Sequence, residues 1–84
     1  MRIYMQTLPD GVSAPRFYHL LVEQDLLGGW ILTKEWGRQG ASGRVKRTYF
    51  NQREQAEEAL MTARDDLLKR GFRTVFAKGQ EQPQ

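Results

Sequence analysis

A segment of alternating side chains, broken once by a glycine-containing turn, most constrains how this chain can fold. Between Trp30 and Phe50 the residues read as two strands joined by the turn Gln-Gly-Ala-Ser-Gly at 39–43. On an extended strand, successive side chains point to opposite faces and each residue advances about 3.3 Å. The segment therefore predicts paired strands on which Trp36 and Arg38 share one face, about 6.6 Å apart.

The rest of the chain predicts an α+β domain. Alternating or apolar segments predict strands at residues 3–7, 16–24, 29–38 and 44–50. A helix follows, because Asn51 is a good N-cap with Glu54 three residues later and apolar residues recur at 3.6-residue spacing. Gly71 is the expected residue that ends this helix, and residues 72–76 can add a last short strand. We predict an antiparallel β-sheet of about four strands packed against one long amphipathic helix.

The length of the chain sets the limits of this domain. Its 84 residues suffice for one core and little else. We assign residues 1–77 to a single domain, and we expect the Gln-rich residues 78–84 to form a disordered tail. The predicted hairpin loop at 25–29 contains Leu26 and Leu27, which we expect to fold back on the core.

The residue types present exclude several classes of function. The absence of Cys excludes disulfides and thiolate metal sites, and His19, the single histidine, makes no metal site by itself. Motifs for a nucleophile elbow, a nucleotide-phosphate loop or a Ser-His-Asp triad are missing. We therefore expect no enzyme activity, no cofactor and no metal. With no apolar run of about twenty residues and no signal-peptide pattern, we expect no membrane partner and a cytoplasmic location.

Cations concentrate on the predicted strand pair. The formal net charge of the chain is only +3, so the distribution of charge is more informative than its sum. Glu35 is the single acid between positions 34 and 47. The cations of this segment are Lys34, Arg38, Arg44, Lys46 and Arg47. They can bind phosphates, or they can prevent exposed strands from pairing edge to edge, and the two roles are compatible.

Each residue of the candidate site also has a purely structural interpretation. Trp36 can be a core residue, as most Trp residues in small sheets are. Arg38 can pair with Glu35 or with an acid on a neighbouring strand, although an exposed pair is worth only about 0–1 kcal/mol. Gly37 leaves the opposite face of its strand bare, so that backbone or ligand can approach closely there. Arg73 has no acidic partner at helical spacing and is a candidate peripheral contact.

The pentapeptide Trp-Gly-Arg-Gln-Gly at 36–40 resembles the signature of the WGR domain, a small module named after its first three residues. The similarity extends from about Phe17 to Phe72. It includes an aromatic-rich strand before the signature, a basic strand after it, and an amphipathic helix that ends in Lys-Arg-Gly-Phe. WGR domains occur in DNA-dependent poly(ADP-ribose) polymerases, where they bind DNA at strand breaks. They also occur as stand-alone bacterial proteins. The Lys-Arg-Gly-Phe ending of this chain resembles the bacterial proteins more than the polymerases.

The resemblance implies that Trp36 packs on a terminal sugar or base and that Arg38 contacts a phosphate. We therefore expect a non-catalytic module that binds nucleic acid, with DNA ends or breaks as its ligand and no sequence specificity. The alternative is a protein-interaction domain that recognises an acidic partner or a partner's strand edge. The candidate nucleic-acid-binding residues are Trp36, Gly37, Arg38, Lys34, Arg44, Lys46, Arg47 and Arg73.

Overall fold

A five-stranded antiparallel sheet carries one helix on one of its faces. The structure is a computed structural model that describes residues 1–79, and the counts of strands and helices refer to this part of the chain. The elements in chain order are β1 (Arg2–Thr7), β2 (Arg16–Gln24), β3 (Trp30–Arg38), β4 (Arg44–Phe50), α1 (Arg53–Lys69) and β5 (Phe72–Lys78). The predicted α+β class is confirmed, with five strands where about four were expected.

The sheet is a four-stranded meander extended by one returning strand. Its strand order is β4-β3-β2-β1-β5, and all neighbours are antiparallel. After α1 crosses the sheet, β5 pairs with β1 at the edge opposite β4. The strand β5 extends to Lys78, beyond the predicted domain boundary, and the rest of the predicted tail from residue 80 onward lies outside the described residues.

The core lies between α1 and one face of the sheet. Apolar residues at 3.6-residue spacing bury one stripe of the helix, with Ala56 and Leu60 at 0% exposure. The small side chain of Ala56 allows α1 to lie close to the strands. The sheet contributes alternate residues of its central strands, because only every second side chain points toward the helix. The buried core residues of the sheet's first three strands are Ile3, Met5, Leu20, Val22 and Leu32.

This arrangement gives the sheet two different faces. We call the side covered by α1 the helix face and the other side the open face, because no helix within residues 1–79 covers it. Leu20 and Leu32 are buried on the helix face, so strand alternation places every second residue of β2 and β3 there. Within residues 1–79, α1 is the only helix, and it is not long and apolar enough to cross a membrane.

The end of α1 agrees with the sequence prediction, and its start does not. Gly71 follows the helix with φ of +95°, which favours glycine, and its N–H donates to the carbonyl of Leu68, as expected for a helix-ending glycine. The prediction of Asn51 as the N-cap is wrong. Gln52 is the N-cap and its side chain makes no capping hydrogen bond. The N–H of Ala56 donates to the carbonyl of Gln52, so the helix begins one residue later than expected.

The predicted packing of Leu26 and Leu27 is also wrong, since both side chains are fully exposed. The turn is closed by hydrogen bonds from the N–H of Gly28 to the carbonyl of Asp25 and from the N–H of Asp25 to the carbonyl of Gly29. These bonds place both leucines at the tip of the hairpin, where they extend beyond the sheet and the helix.

Replacing both leucines with serine, Leu26→Ser and Leu27→Ser, should leave the stability almost unchanged. Because neither side chain is buried, we expect a change of at most about 0.5 kcal/mol in the free energy of unfolding. Urea denaturation followed by circular dichroism measures it. Leu60→Ala, at a fully buried position, is the control and should cost about 2–5 kcal/mol. A comparable loss at the hairpin tip would show that the leucines pack on the domain after all.

Candidate nucleic-acid interface

Two cross-strand pairs, neighbours on the same face of the sheet, place two aromatic rings beside two guanidinium groups. Tyr18 lies opposite Trp36, and Arg16 lies opposite Arg38, in the antiparallel register of β2 and β3. Both pairs share the helix face, and they are separated by two residues on each strand, or about 6.6 Å. We call these four residues the aromatic–arginine array.

The aromatic half of the array is anchored in the core. The rings of Tyr18 and Trp36 stack with centroids 5.5 Å apart and planes 11° from parallel. Tyr18 in turn packs edge-on against Phe72, at 5.6 Å and 83°, and Phe72 is 2% exposed. Trp36 itself is half-buried. Tyr18 therefore covers one side of the indole and holds the ring in place. The exposed part of the indole can contact a ligand.

The arginine half of the array has no acidic partner. Arg16 and Arg38 are exposed, and within residues 1–79 neither guanidinium forms a salt bridge or a side-chain hydrogen bond. The predicted alternative, an ion pair between Arg38 and Glu35, is not formed, because the two residues lie on opposite faces of β3. Like charges directly opposite on neighbouring strands are destabilising. A bound anion would remove this repulsion.

An acid that lines the same cleft as the two arginines is held by its own loop. Arg16 and Arg38 line a surface cleft of about 260 Å³ together with residues of the β1–β2 loop, including Asp10. The Oδ1 of Asp10 accepts hydrogen bonds from the N–H groups of Ser13 and Val12, at 3.0 and 2.9 Å. These bonds, that of Ser13 first, lower the pKa of the Asp10 carboxyl. The carboxylate therefore stabilises the loop and forms no ion pair with the arginines.

Three further predicted cations share the helix face with the array. Arg44 lies opposite Trp36, and Lys46 lies opposite Lys34, in the register of β3 and β4. Within the described part of the chain none of the three forms a salt bridge. Lys34 and Asp66 of α1 line the same surface cleft. The structure thus brings together five of the predicted residues, namely Trp36, Arg38, Lys34, Arg44 and Lys46.

Two predicted residues lie on the other side of the sheet. Arg47 is opposite Thr33 on the open face, because it follows Lys46 directly and strand side chains alternate. Arg73 is opposite Gln6, also on the open face, and its Nη1 donates to the carbonyl of Phe72 at 3.3 Å. The structure therefore does not bring Arg47 and Arg73 together with the array.

The glycine of the signature is covered by the protein itself. A Cβ atom at Gly37 would lie 3.1 Å from the Cα of Gly43, 3.4 Å from the carbonyl oxygen of Ser42 and 3.6 Å from the ring of Phe17. The sequence predicted that backbone or ligand can approach Gly37 closely, and in the structure the backbone of the β3–β4 turn does so. Gly37 allows that turn to fold back onto the open face, and the turn positions Arg38 and Arg44 at either end.

Sequence reasoning missed Arg16 and Tyr18 as members of the site. The alternation of side chains predicts only that both lie on a strand, although the sequence contains a further signal. The pattern Arg-x-Tyr at 16–18 is the reverse of Trp-x-Arg at 36–38, and antiparallel pairing brings the like residues together. The remaining polar residues form no metal site, since within residues 1–79 no group of three or more His, Cys, Asp or Glu residues could hold a metal ion.

Comparison with known proteins identifies the family of the chain. The family model of the WGR domain matches residues 1–79, which includes the whole array. The chain is 31% identical over 72 residues to the uncharacterised protein y4dW of Sinorhizobium fredii, an alignment that covers 86% of this chain and 35% of that protein. The chain thus spans about a third of the length of this relative. No solved structure is significantly similar to the chain. The chain belongs to the WGR-domain family.

Proposed function

We propose that this WGR domain binds DNA ends or breaks, without sequence specificity, through the aromatic–arginine array. WGR domains are associated with nucleic-acid binding. The observation that carries the proposal is the pair of arginines without an acidic partner, Arg16 and Arg38, beside the stacked rings of Tyr18 and Trp36. Guanidinium groups bind phosphate through paired hydrogen bonds, and an indole surface stacks on a base or sugar.

A DNA end suits this arrangement better than continuous duplex. At an end the terminal base pair and sugar are accessible, whereas inside a duplex the bases are stacked on each other. The exposed part of Trp36 can cover the terminal sugar or base and contribute about 1–3 kcal/mol. The next phosphate then falls near Arg38 and Arg16, about 6.6 Å further along the strands.

The helix is poorly suited to reading a base sequence. A recognition helix must enter the major groove with polar side chains, whereas α1 packs its apolar stripe against the sheet. Its exposed side carries Glu54, Glu58 and Asp66, which would repel the phosphate backbone. The array therefore suits contacts with the backbone and the end of DNA, whereas α1 is not suited to contacts with base edges.

The substitution Trp36→Ala should weaken binding to a blunt duplex about tenfold or more, because it removes the stacking surface. It should leave the salt dependence of binding almost unchanged, since it removes no charge. Fluorescence anisotropy with an internally labelled duplex, at two salt concentrations, measures both quantities. The control ligand is the same duplex closed at each end by a hairpin loop. Equal affinity for the open and the closed duplex would contradict end binding.

A protein ligand is the second candidate. The strand β4 is an edge of the sheet, and an edge strand has unpaired backbone groups that can accept a further strand. Its exposed residues include Arg44, Lys46 and Arg47, so the added strand would be acidic. Anisotropy with a labelled acidic peptide tests this candidate beside the duplex.

A binding module requires no catalytic group, and we propose that the domain is not an enzyme and acts in the cytoplasm.

A further inference from the structure

The open face of the sheet carries a row of aromatic rings on three neighbouring strands. His19 of β2 lies opposite Tyr4 of β1, and Tyr4 lies opposite Phe76 of β5. Phe76 is 45% exposed, and the other two side chains are half-buried. Neighbouring strands are about 4.8 Å apart, so the row is about 10 Å long. We call these three residues the ring row.

The rings of this row are held in position by their neighbours. Tyr4 stacks on Phe17 with centroids 6.0 Å apart and planes 6° from parallel, and His19 is tilted against Tyr4 at 6.1 Å. The side-chain amide of Gln39 donates to the hydroxyl of Tyr4 at 3.2 Å and to the side-chain oxygen of Gln6 at 2.6 Å. A ligand would therefore meet a preformed surface, with little loss of side-chain freedom on binding.

Cations flank the ring row. Arg2 precedes Tyr4 by two residues on β1, and its Cζ lies 5.3 Å from the ring centroid of Phe76. Arg73, opposite Gln6, lies on the other side of the row. Arg47 reaches the same face from β4 and forms no ion pair within residues 1–79. The acids of the open face are Glu23 and Glu35, and Glu35 lies directly opposite His19 at the β2 end of the row. With three arginines against two glutamates among these strand residues, the face has a small excess of positive charge.

We propose that the open face binds single-stranded nucleic acid. Bases stack on the ring row, and phosphates are contacted by Arg2, Arg73 and Arg47. Unpaired bases can lie flat on aromatic rings, whereas a duplex keeps its bases stacked on each other. The length of the row matches two or three nucleotides. An acidic peptide would satisfy the cations but would leave the rings without a partner, so the rings favour a nucleic acid.

This surface is independent of the proposed end-binding site. The sheet separates the two, since the aromatic–arginine array lies on the helix face and the ring row on the open face. The strand β4 provides a matched pair of test positions, because Lys46 and Arg47 are adjacent, both exposed and on opposite faces.

The test uses the full chain and two labelled probes, a short oligothymidylate and a blunt duplex, with binding followed by fluorescence anisotropy at low salt. Phe76→Ala should weaken binding of the oligothymidylate at least about fivefold, because it removes a stacking surface. Arg47→Ala should weaken it about threefold and reduce its salt dependence. Both variants should bind the blunt duplex within twofold of the unaltered protein, whereas the control Lys46→Ala should retain binding of the oligothymidylate.

Several results would overturn the proposal. One is loss of oligothymidylate binding in Trp36→Ala together with full binding in Phe76→Ala, which would place the single strand on the helix face. Another is no binding of the oligothymidylate while an acidic peptide binds in an Arg47-dependent manner, which would make the open face a protein-docking surface. Thermal melts by circular dichroism verify that each variant is folded. If duplex ends are not bound but the oligothymidylate results hold, the end-binding proposal fails and this one stands.

Discussion

Reversing both arginine charges of the array, with Arg16→Glu and Arg38→Glu, should weaken binding of a blunt DNA duplex at least about a hundredfold. Each arginine is expected to donate hydrogen bonds to a phosphate, and a hydrogen bond to a charged group contributes about 1.5–3 kcal/mol. The loss of two such contacts is therefore about 3–6 kcal/mol, to which the repulsion between glutamate and phosphate is added. This is the largest effect on binding that we expect from the site.

The salt dependence provides a second measurement on the same variant. Each phosphate that a protein neutralises on duplex DNA contributes about 0.9 to the slope of log K against log salt. Removing Arg16 and Arg38 should therefore reduce the slope by about 1.8. Anisotropy titrations at several salt concentrations give this slope. Arg2→Glu with Arg73→Glu is the control, because it changes the net charge equally but on the open face.

The single substitution Arg16→Glu separates binding from stability. It replaces the like charges of Arg16 and Arg38 with opposite charges, those of the new glutamate and Arg38. A cross-strand pair of opposite charges contributes about 0.2–1 kcal/mol to stability. The variant should therefore melt at a slightly higher temperature while binding DNA more weakly. If this variant binds DNA as tightly as the unaltered protein, Arg16 does not hold a phosphate.

The parts of the fold that depend on local sequence could be predicted. Alternation of side chains indicated the strands, 3.6-residue spacing indicated α1, and the placement of Gly71 after the helix followed from its backbone freedom. The shared face of Trp36 and Arg38 follows from the same alternation. These features require only that residues close in sequence adopt a regular backbone.

The parts that depend on strand register could not be predicted in the same way. The pairing of Arg16 with Arg38 joins residues 22 positions apart and is set by how tightly the turn after Asp25 closes. The face on which Arg73 lies depends on the pairing of β5 with β1, whose register shifts between Tyr4 and Met5. Arg47 is different, because alternation alone separates it from Lys46. The face of Arg47 could therefore be predicted from the sequence, even though its charge matches that of Lys46.

Gly37→Val should destabilise the domain by about 2 kcal/mol, within the range of about 1–3 kcal/mol measured for added groups in tightly packed sites. The atoms nearest to the new Cβ, the Cα of Gly43 and the carbonyl oxygen of Ser42, are both backbone. They cannot move aside as a flexible side chain would, so the β3–β4 turn itself must shift. Because Arg38 and Arg44 lie at the two ends of that turn, binding of a blunt duplex should weaken as well.

Urea denaturation measures the loss of stability, and amide chemical shifts of Ser42 and Gly43 report whether the turn has moved. The control is Gly79→Ala, where a Cβ would meet nothing within 4 Å. It should leave the stability unchanged or raise it slightly. Where there is room for a side chain, replacing glycine commonly stabilises by about 0.4–1 kcal/mol, because the unfolded chain loses freedom. A gain of that size at Gly37 would mean that the turn does not press on the strand, and that the glycine is free to face a ligand.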